Sequence, residues 1–497
     1  MKKNILSAAV IAIIGWASAS AVQVQNTAGN LSSAGIDPSE TILKVTGEIN
    51  AADIDYINKS LTSLVSLDLS AVDILPYSGD AVLFNRNSFP ADLIPDYAFA
   101  GSRIQSIALP LSTQAIGEGA FTSSAITAMT IPSNVTEIGN AAFSNCDNLT
   151  SIAIPSSATD LGENLLKGCD ALQSVDISGL TSSIPKGICS GCSALTSVNM
   201  PASNIATIGA EAFEGCSSLQ TVAFPALLEE IGDHAFANSG ITTVDLEGFQ
   251  NITAIDAWAF SGCKDLVTVN LDDNIIRVGE GAFFDSGIEE YKGASRTRKI
   301  SDYTFTNANK VNGENVLPEG VTEIGRFAFA GWDQITDFTL PSTLTKIDDN
   351  AFESWTSLKN LHAEALSSVP RLGREVWNNV DQANATLVVK EELISDFQAA
   401  EQWQLFHIDT TGVVAVTADK DGEANVKVVF EGMTMRFSAD IEIADIAVFD
   451  TQGRKYAFAR PNANVYSIDT TDWSAPAYLI AVRLADGQEA SFKLARR

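Results

Sequence analysis

The sequence predicts a repeat solenoid with a parallel β-sheet along one side, followed by a small all-β sandwich. Three observations carry this prediction. An anchor residue recurs at Phe99, Phe121, Phe143, Leu166, Cys189, Phe213, Phe236, Phe260, Phe283, Phe305, Phe329 and Phe352, with Trp377 as a degenerate last copy, in steps of 22 to 25 residues. Around most anchors the same apolar pattern returns. After residue 411 the period is gone, and alternating strand-like runs take over. A fixed period of this length marks a solenoid, because each coil buries its apolar residues only against the coils above and below it.

The coil at 135–155, VTEIGNAAFSNCDNLTSIAIP, shows the logic. Ile152 and Ile154 alternate with Ser151 and Ala153, which is strand periodicity. Pro155 lacks the N–H needed to extend a ladder and ends the strand. Val135 and Ile138 bring apolar side chains back inside, Gly139 permits a bend, and Phe143 fills the interior. Stacking sets the strands side by side about 4.8 Å apart.

The order along the chain follows. Residues 1–21 read as a signal peptide: Lys2 and Lys3, an apolar run, then alternating Ala and Ser. No later apolar run reaches the length of a membrane-spanning helix. Residues 22–92 lack the full repeat; Ile54, Ile57, Leu61 and Leu64 at helical spacing and the strand-like VSLDLS predict an N-terminal cap. The solenoid spans 93–384. A strand and a short helix at 385–412 predict a C-terminal cap and linker. Residues 413–497 hold alternating runs broken by TQGR and ADGQ, which predict hairpins of a β-sandwich.

The repeat resembles the BspA-like leucine-rich repeats, close to L-x-x-I-x-I-P-x-x-V-x-x-I-G-x-x-A-F-x-x-C over about a dozen copies. The resemblance implies a secreted or cell-surface, adhesin-like protein, of a kind found in Gram-negative anaerobes of mouth and gut. It also implies a protein or glycan ligand, host extracellular matrix included. The last segment (DIAVFDTQGR, YSIDTTDW, AYLIAVRLADGQ and a basic FKLARR) resembles the sorting domain of the type IX (Por) secretion system. That implies contact with the secretion machinery. Pro476-Ala477-Tyr478 stands where that family carries Gly-x-Tyr, so a surface β-domain of another kind is the alternative.

The net charge is −30, from 31 basic and 61 acidic residues. It argues against nucleic acid or an anionic membrane as the main partner. Cys146, Cys169, Cys192, Cys216 and Cys263 lie three residues past their anchors, in a column that elsewhere holds Ser102, Ser124, Ser239, Ser286, Ala308, Trp332 and Trp355. A column of small, weakly polar residues predicts free buried thiols. Cys189 and Cys192 occupy different columns and make no redox or zinc pair. His234, His362 and His407 lie in different coils or caps, so no catalytic triad forms from them. Asp272-Asp273 and Asp348-Asp349 read as turn formers ahead of calcium ligands. No enzyme, no cofactor and no metal is expected.

One coil breaks the pattern: residues 288–310 lack the strand-ending Pro and carry Tyr291, Lys292, Arg296, Arg298 and Lys299. With Trp332 and Trp355 in nearby coils, these are the expected binding residues, because interface energy concentrates in aromatic and Arg side chains. The leading functional expectation is a non-enzymatic recognition protein at the cell surface. A structural envelope spacer is the competing one.

Overall fold

The computed structural model describes residues 21–83, 86–202, 204–308, 310, 317–410, 426–431, 434–450, 452–470, 473 and 477–495. The expected leader, apart from residue 21, and the expected junction at 411–413 lie outside them. The chain divides into two compact units, residues 1–311 and 312–497.

In the first unit, Val22–Asn26, Ile42–Ile49, Ser66–Ile74 and Ser106–Ala108 form one parallel sheet in that order. The segment expected to cap the array is thus itself made of parallel strands in register with the first repeat. The expected helix spans Ala51–Ser60 and opens with a capping box of Asn50 and Asp53. Asp53 is buried, and its carboxylate accepts the N–H groups of Gly29, Leu31 and Asn50 at 2.6, 2.8 and 2.9 Å. Those bonds offset the cost of burying the charge. Ile54, Ile57, Leu61 and Leu64 form the buried face, as their spacing predicts.

Most following coils have a three-residue strand, a two-residue strand and an anchor turn. Ser151–Ala153, Ser174–Asp176 and Ser197–Asn199 pair in parallel and in register, as do Thr243–Asp245, Thr268–Asn270 and Glu290–Lys292. The two-residue strands build parallel sheets on another side, such as Thr207–Ile208, Glu230–Ile231, Ala254–Ile255 and Arg277–Val278. The coil bearing Thr221 contributes no strand to either three-stranded sheet. The anchors stack face to face inside: Phe236 lies 5.3 Å from both Phe213 and Phe260, at 19° and 2°.

The anchor turn carries a third ladder that the sequence pattern does not announce. At the anchors from Phe99 to Phe283, and again at Phe329 and Phe352, the residue two before the anchor, the anchor, and the residue two after it donate their N–H groups to carbonyls of the next coil. For Phe143 these are Ala141 to Glu163, Phe143 to Leu165 and Asn145 to Lys167, at 2.8, 3.0 and 2.7 Å. Both flanking positions adopt positive φ, at 51° for Ala141 and 53° for Asn145. This explains why the later column is mostly Gly or Asn, as at Gly101, Asn145, Gly168, Gly191, Gly215, Asn238 and Gly262, with Ser123, Asp285 and Ser354 as exceptions: glycine and asparagine tolerate left-handed backbone. Gly139 serves another need, since a Cβ there would lie 2.5 Å from the Glu118 nitrogen.

In the second unit Asp337–Thr339, Asn360–His362, Thr386–Val389 and His407–Thr410 form a parallel sheet, and Glu323–Ile324, Lys346–Ile347 and Arg371–Leu372 another. Phe329, Phe352 and Trp377 form an anchor stack within this unit, the last pair 4.7 Å apart. Helix Ile394–Ala399 then ends the array, with Phe397, Trp403 and Phe406 gathered around Trp377.

Residues 426–495 form a six-stranded antiparallel sheet. Its 17-residue strand Thr434–Asp450 pairs with Val426–Glu431 and Ala463–Asp469 over its first half, and with Lys455–Ala459 and Ala477–Leu484 over its second. A register shift between Ser438 and Ile443 separates the halves. Inward residues from both, including Met435, Phe437, Ile446, Val448, Tyr478 and Ile480, share one core. The TQGR turn closes on the buried Asp450 carboxylate. It accepts the N–H groups of Gln452 and Arg454 at 2.9 and 2.8 Å and pairs with the Arg454 Nε at 2.6 Å.

Candidate binding surface

The coil at 288–310 keeps part of its expected role and loses the rest. Arg296, Arg298 and Lys299 are exposed, the two arginines on the bend after strand Glu290–Lys292 and Lys299 at the start of strand Lys299–Ile300. Lys292 is exposed too, and its Nζ sits 2.8 Å from Glu247. The Arg298 guanidinium donates to the Ser295 carbonyl at 3.1 Å. Among the described residues the side chains of Arg296 and Lys299 have no ion pair or hydrogen bond.

Tyr291 occupies the inward column of its strand, in register with Val269. Its ring packs edge-on against Phe305 at 4.8 Å and Phe283 at 6.1 Å, and burial pushes its hydroxyl pKa up. Its ring packs toward the interior and the side chain is partly buried, so it is not the freely exposed anchor expected. Trp332 and Trp355 also depart from expectation: both are 0% exposed. They lie 6.1 Å apart at 12°, and the Trp355 Nε1 donates to the Phe329 carbonyl at 2.7 Å. No partner reaches an indole so enclosed.

The cysteine column explains why. Cys146, Cys169, Cys192, Cys216 and Cys263 each donate S–H to the carbonyl of the anchor one coil earlier, at 3.1 to 3.2 Å. That carbonyl already accepts a backbone N–H within its own turn, as Phe121 does from Ser124 at 3.0 Å. The column thus supplies the second partner of a buried carbonyl. All six cysteines are free and buried, as predicted. Burial pushes the Cys263 thiol up to about 11 and Cys216 well above its usual value. A thiol held protonated is a poor nucleophile.

The acidic pairs hold turns together. Asp272 accepts the N–H of Asn274 within its coil and that of Gly248 from the coil before, both at 2.9 Å. Asp273 accepts Ser295 N–H at 2.9 Å, and Asp349 accepts Arg374 N–H at 2.7 Å. His234 pairs with Asp233 at 2.9 Å and His362 with Glu364 at 3.3 Å. On the sheet face Ser151, Ser174 and Ser197 stand in register and exposed.

One surface group escaped the sequence reading. His234, Trp258 and Tyr303 stand two residues before their anchors, all with positive φ of 54° to 59°. Their rings run in series, His234 to Trp258 at 6.2 Å and Trp258 to Tyr303 at 6.3 Å, with Phe284 edge-on to Trp258 at 5.4 Å. Gly281 between them leaves room, since a Cβ there would meet the Trp258 ring at 2.4 Å. The column also carries Tyr97, Glu211, Phe327 and Glu375 beside Gly, Ala and Asn, so the available signal was the recurrence of rings in nearby coils.

The pattern of the family described as BspA type Leucine rich repeat region matches residues 92–206, 182–312 and 312–391. A leucine-rich repeat protein from Bacteroides ovatus is similar in structure, with 21% identity, a TM-score of 0.51, and 74% of this chain and 84% of that chain covered. A leucine rich cell surface protein from Faecalibacterium prausnitzii has 25% identity and a TM-score of 0.38, covering 57% of this chain and 86% of that one. No curated protein matches the sequence. With the repeat pattern covering well over half of its length, the chain belongs to the BspA-type leucine-rich repeat family.

Proposed function

We propose that this chain is a non-enzymatic recognition protein, exported to the cell surface or secreted, whose repeat coils hold a protein or glycan ligand. The supporting observation is the cation cluster on the coil at 288–310. Several exposed cations of other coils serve the fold: Lys186 pairs with Glu211 at 3.2 Å, Arg277 with Glu230 at 3.0 Å and Arg374 with Asp349 at 3.0 Å. Arg296 and Lys299 do no such work among the described residues, and they stand on a chain of net charge −30. An acidic partner segment or acidic glycan is the complementary surface, and long-range attraction would speed its association. The leucine rich cell surface protein from Faecalibacterium prausnitzii is consistent with the proposed location.

The purified mature chain, probed with host matrix proteins and an acidic glycan array, should bind a member of one class. Replacing Arg296, Arg298 and Lys299 together with Ser should weaken that binding and flatten its salt dependence at unchanged melting temperature. Equal affinity and salt dependence in the triple variant would move the site elsewhere. No binding at all by the parent chain would favour the spacer reading. We also assign the antiparallel sheet at 426–495 to export, on the strength of the DIAVFDTQGR and AYLIAVRLADGQ runs it contains. A chain ending at residue 411 should then fold its coils and stay in the periplasm, and normal surface display of that truncation would remove the assignment.

A further inference from the structure

The anchor-turn ladder has an open end. In the second unit Asn350, Phe352 and Ser354 donate N–H groups to the carbonyls of Arg374, Val376 and Asn378, at 3.1, 3.1 and 2.7 Å. The matching donors of the next turn are Glu375, Trp377 and Asn379. Among the described residues none of these three N–H groups meets an acceptor, because no further coil follows. Glu375 and Asn379 keep the positive φ of the ladder, at 51° and 60°. The backbone is therefore set for a continuation that the chain does not supply.

Two further observations mark this end as a built site. The Trp377 indole is 3% exposed, yet its Nε1–H has no partner, and a buried unpaired donor is destabilising. A groove of about 1020 Å³ opens beside it, walled by Trp377, Trp403, Leu405, Arg371, Arg374 and Gln402. Leu405 is 56% exposed there.

Gln402 shows what chemistry the turn accepts. Interior turns close on themselves, as when Ala351 N–H donates to the Asp348 carbonyl at 3.3 Å. In the last turn the Gln402 side-chain amide stands between the two groups. Its Oε1 accepts Val376 N–H at 2.9 Å, and its Nε2 donates to the Gly373 carbonyl at 2.7 Å. Gln402 itself sits at φ 65°, a conformation uncommon outside glycine. A primary amide thus stands in for a peptide group at one position, while the flanking main-chain donors are left unmatched.

We propose that this groove docks an extended polypeptide segment of a partner protein, whose alternate carbonyls accept from Glu375, Trp377 and Asn379. Alternate carbonyls of an extended segment point to one side, which matches donors placed at alternate residues. Added to an open edge in this way, main-chain hydrogen bonds give affinity and the groove walls give selectivity. Arg371, exposed at the rim, favours an acidic side chain on the segment. The site lies in the second unit and does not rest on the cation cluster at 288–310, so either can fail alone.

The test uses the full chain and a synthetic peptide with the sequence of residues 349–361, DNAFESWTSLKNL. Its Asp349, Ala351 and Glu353 carbonyls accept these bonds within the array. On titration the ¹H–¹⁵N signals of the Glu375, Trp377 and Asn379 amides and of the Trp377 indole should move together and saturate. Trp377→Phe installs the side chain that other anchors carry and removes the Nε1–H together with part of the ring. It should weaken binding severalfold at retained ladder signals elsewhere. Leu405→Asp, on the exposed wall, should weaken it as well. Two results would overturn the proposal. One is saturating binding that leaves all three amides unmoved, or no binding at millimolar peptide. The other is concentration-dependent self-association that shifts the same signals without peptide, which would assign the end to a second copy of this chain.

Discussion

The same column of the repeat holds thiols beside Ser and Ala in the first unit and indoles in the second, and the contrast between thiol and indole shows what these positions share. Cys192 and Trp355 differ greatly in volume. Yet each lies three residues past its anchor and donates to the anchor carbonyl one coil earlier, at 3.1 Å to Leu166 and 2.7 Å to Phe329. The shared property is a donor that reaches a buried carbonyl. Size is adjusted locally: Phe338 packs edge-on against Trp355 at 4.9 Å, whereas neighbouring thiols need no such filler. A sequence reader who sees Cys, Ser and Ala infers smallness, and then misreads tryptophan as a residue expelled to the surface.

The contrast is sharpest when set against the anchors, where packing alone operates. Phe236→Ala removes a ring that is fully buried and stacked on two others, and should cost about 3–5 kcal/mol. Denaturant unfolding measures it, and a loss well under about 1 kcal/mol would mean that the stack is not the core. Trp355→Phe comes next. It keeps an aromatic ring but strips one partner from the Phe329 carbonyl and removes part of a buried ring, so it should cost at least about 1–3 kcal/mol. If it proves neutral, the donor rule fails. Smaller still is the pair Cys192→Ser and Cys192→Ala. The hydroxyl keeps a donor and should cost less than the methyl, which should lose about 1 kcal/mol. The reverse order would break the donor rule.

The coil was legible because its period and its strand alternation are written in side chains. Ile152, Pro155, Val135 and Phe143 each announce an orientation or a stop. The anchor-turn ladder was not legible, because its bonds join backbone to backbone and leave a trace only in residues that tolerate positive φ. Gly168 and Asn145 carry that trace; Trp258 and His234 hide it. Strands Val22–Asn26 and Ile42–Ile49 were missed since their coils lack the anchor by which the repeat was recognised. The site suffered from one further ambiguity. At Tyr291, an aromatic in a degenerate coil, strand parity decides between interior and surface, and its register with Val269 places it inside.

The smallest expected effect concerns a pair that belongs to neither column. His362 lies on strand Asn360–His362, with its Nδ1 3.3 Å from the Glu364 carboxylate. That hydrogen bond is the largest influence and raises the imidazole pKa above 6.5; burial opposes it, and the charges of Glu364 and Asp337 add to the rise. A group whose pKa is higher in the folded state binds its proton more tightly there. Its contribution to stability is therefore fully present below the unfolded value near 6.5 and lost as pH climbs through the folded value. Both side chains are partly solvated, at 30% and 39% exposure, so the effect is about 1 kcal/mol or less. Comparing the melting temperatures of the parent chain and His362→Gln at mildly acidic and mildly alkaline pH isolates it. The parent should lead in acid, and its lead should shrink in base. A lead that grows with pH would mean that the imidazole is held neutral in the folded protein, with Glu364 bound elsewhere.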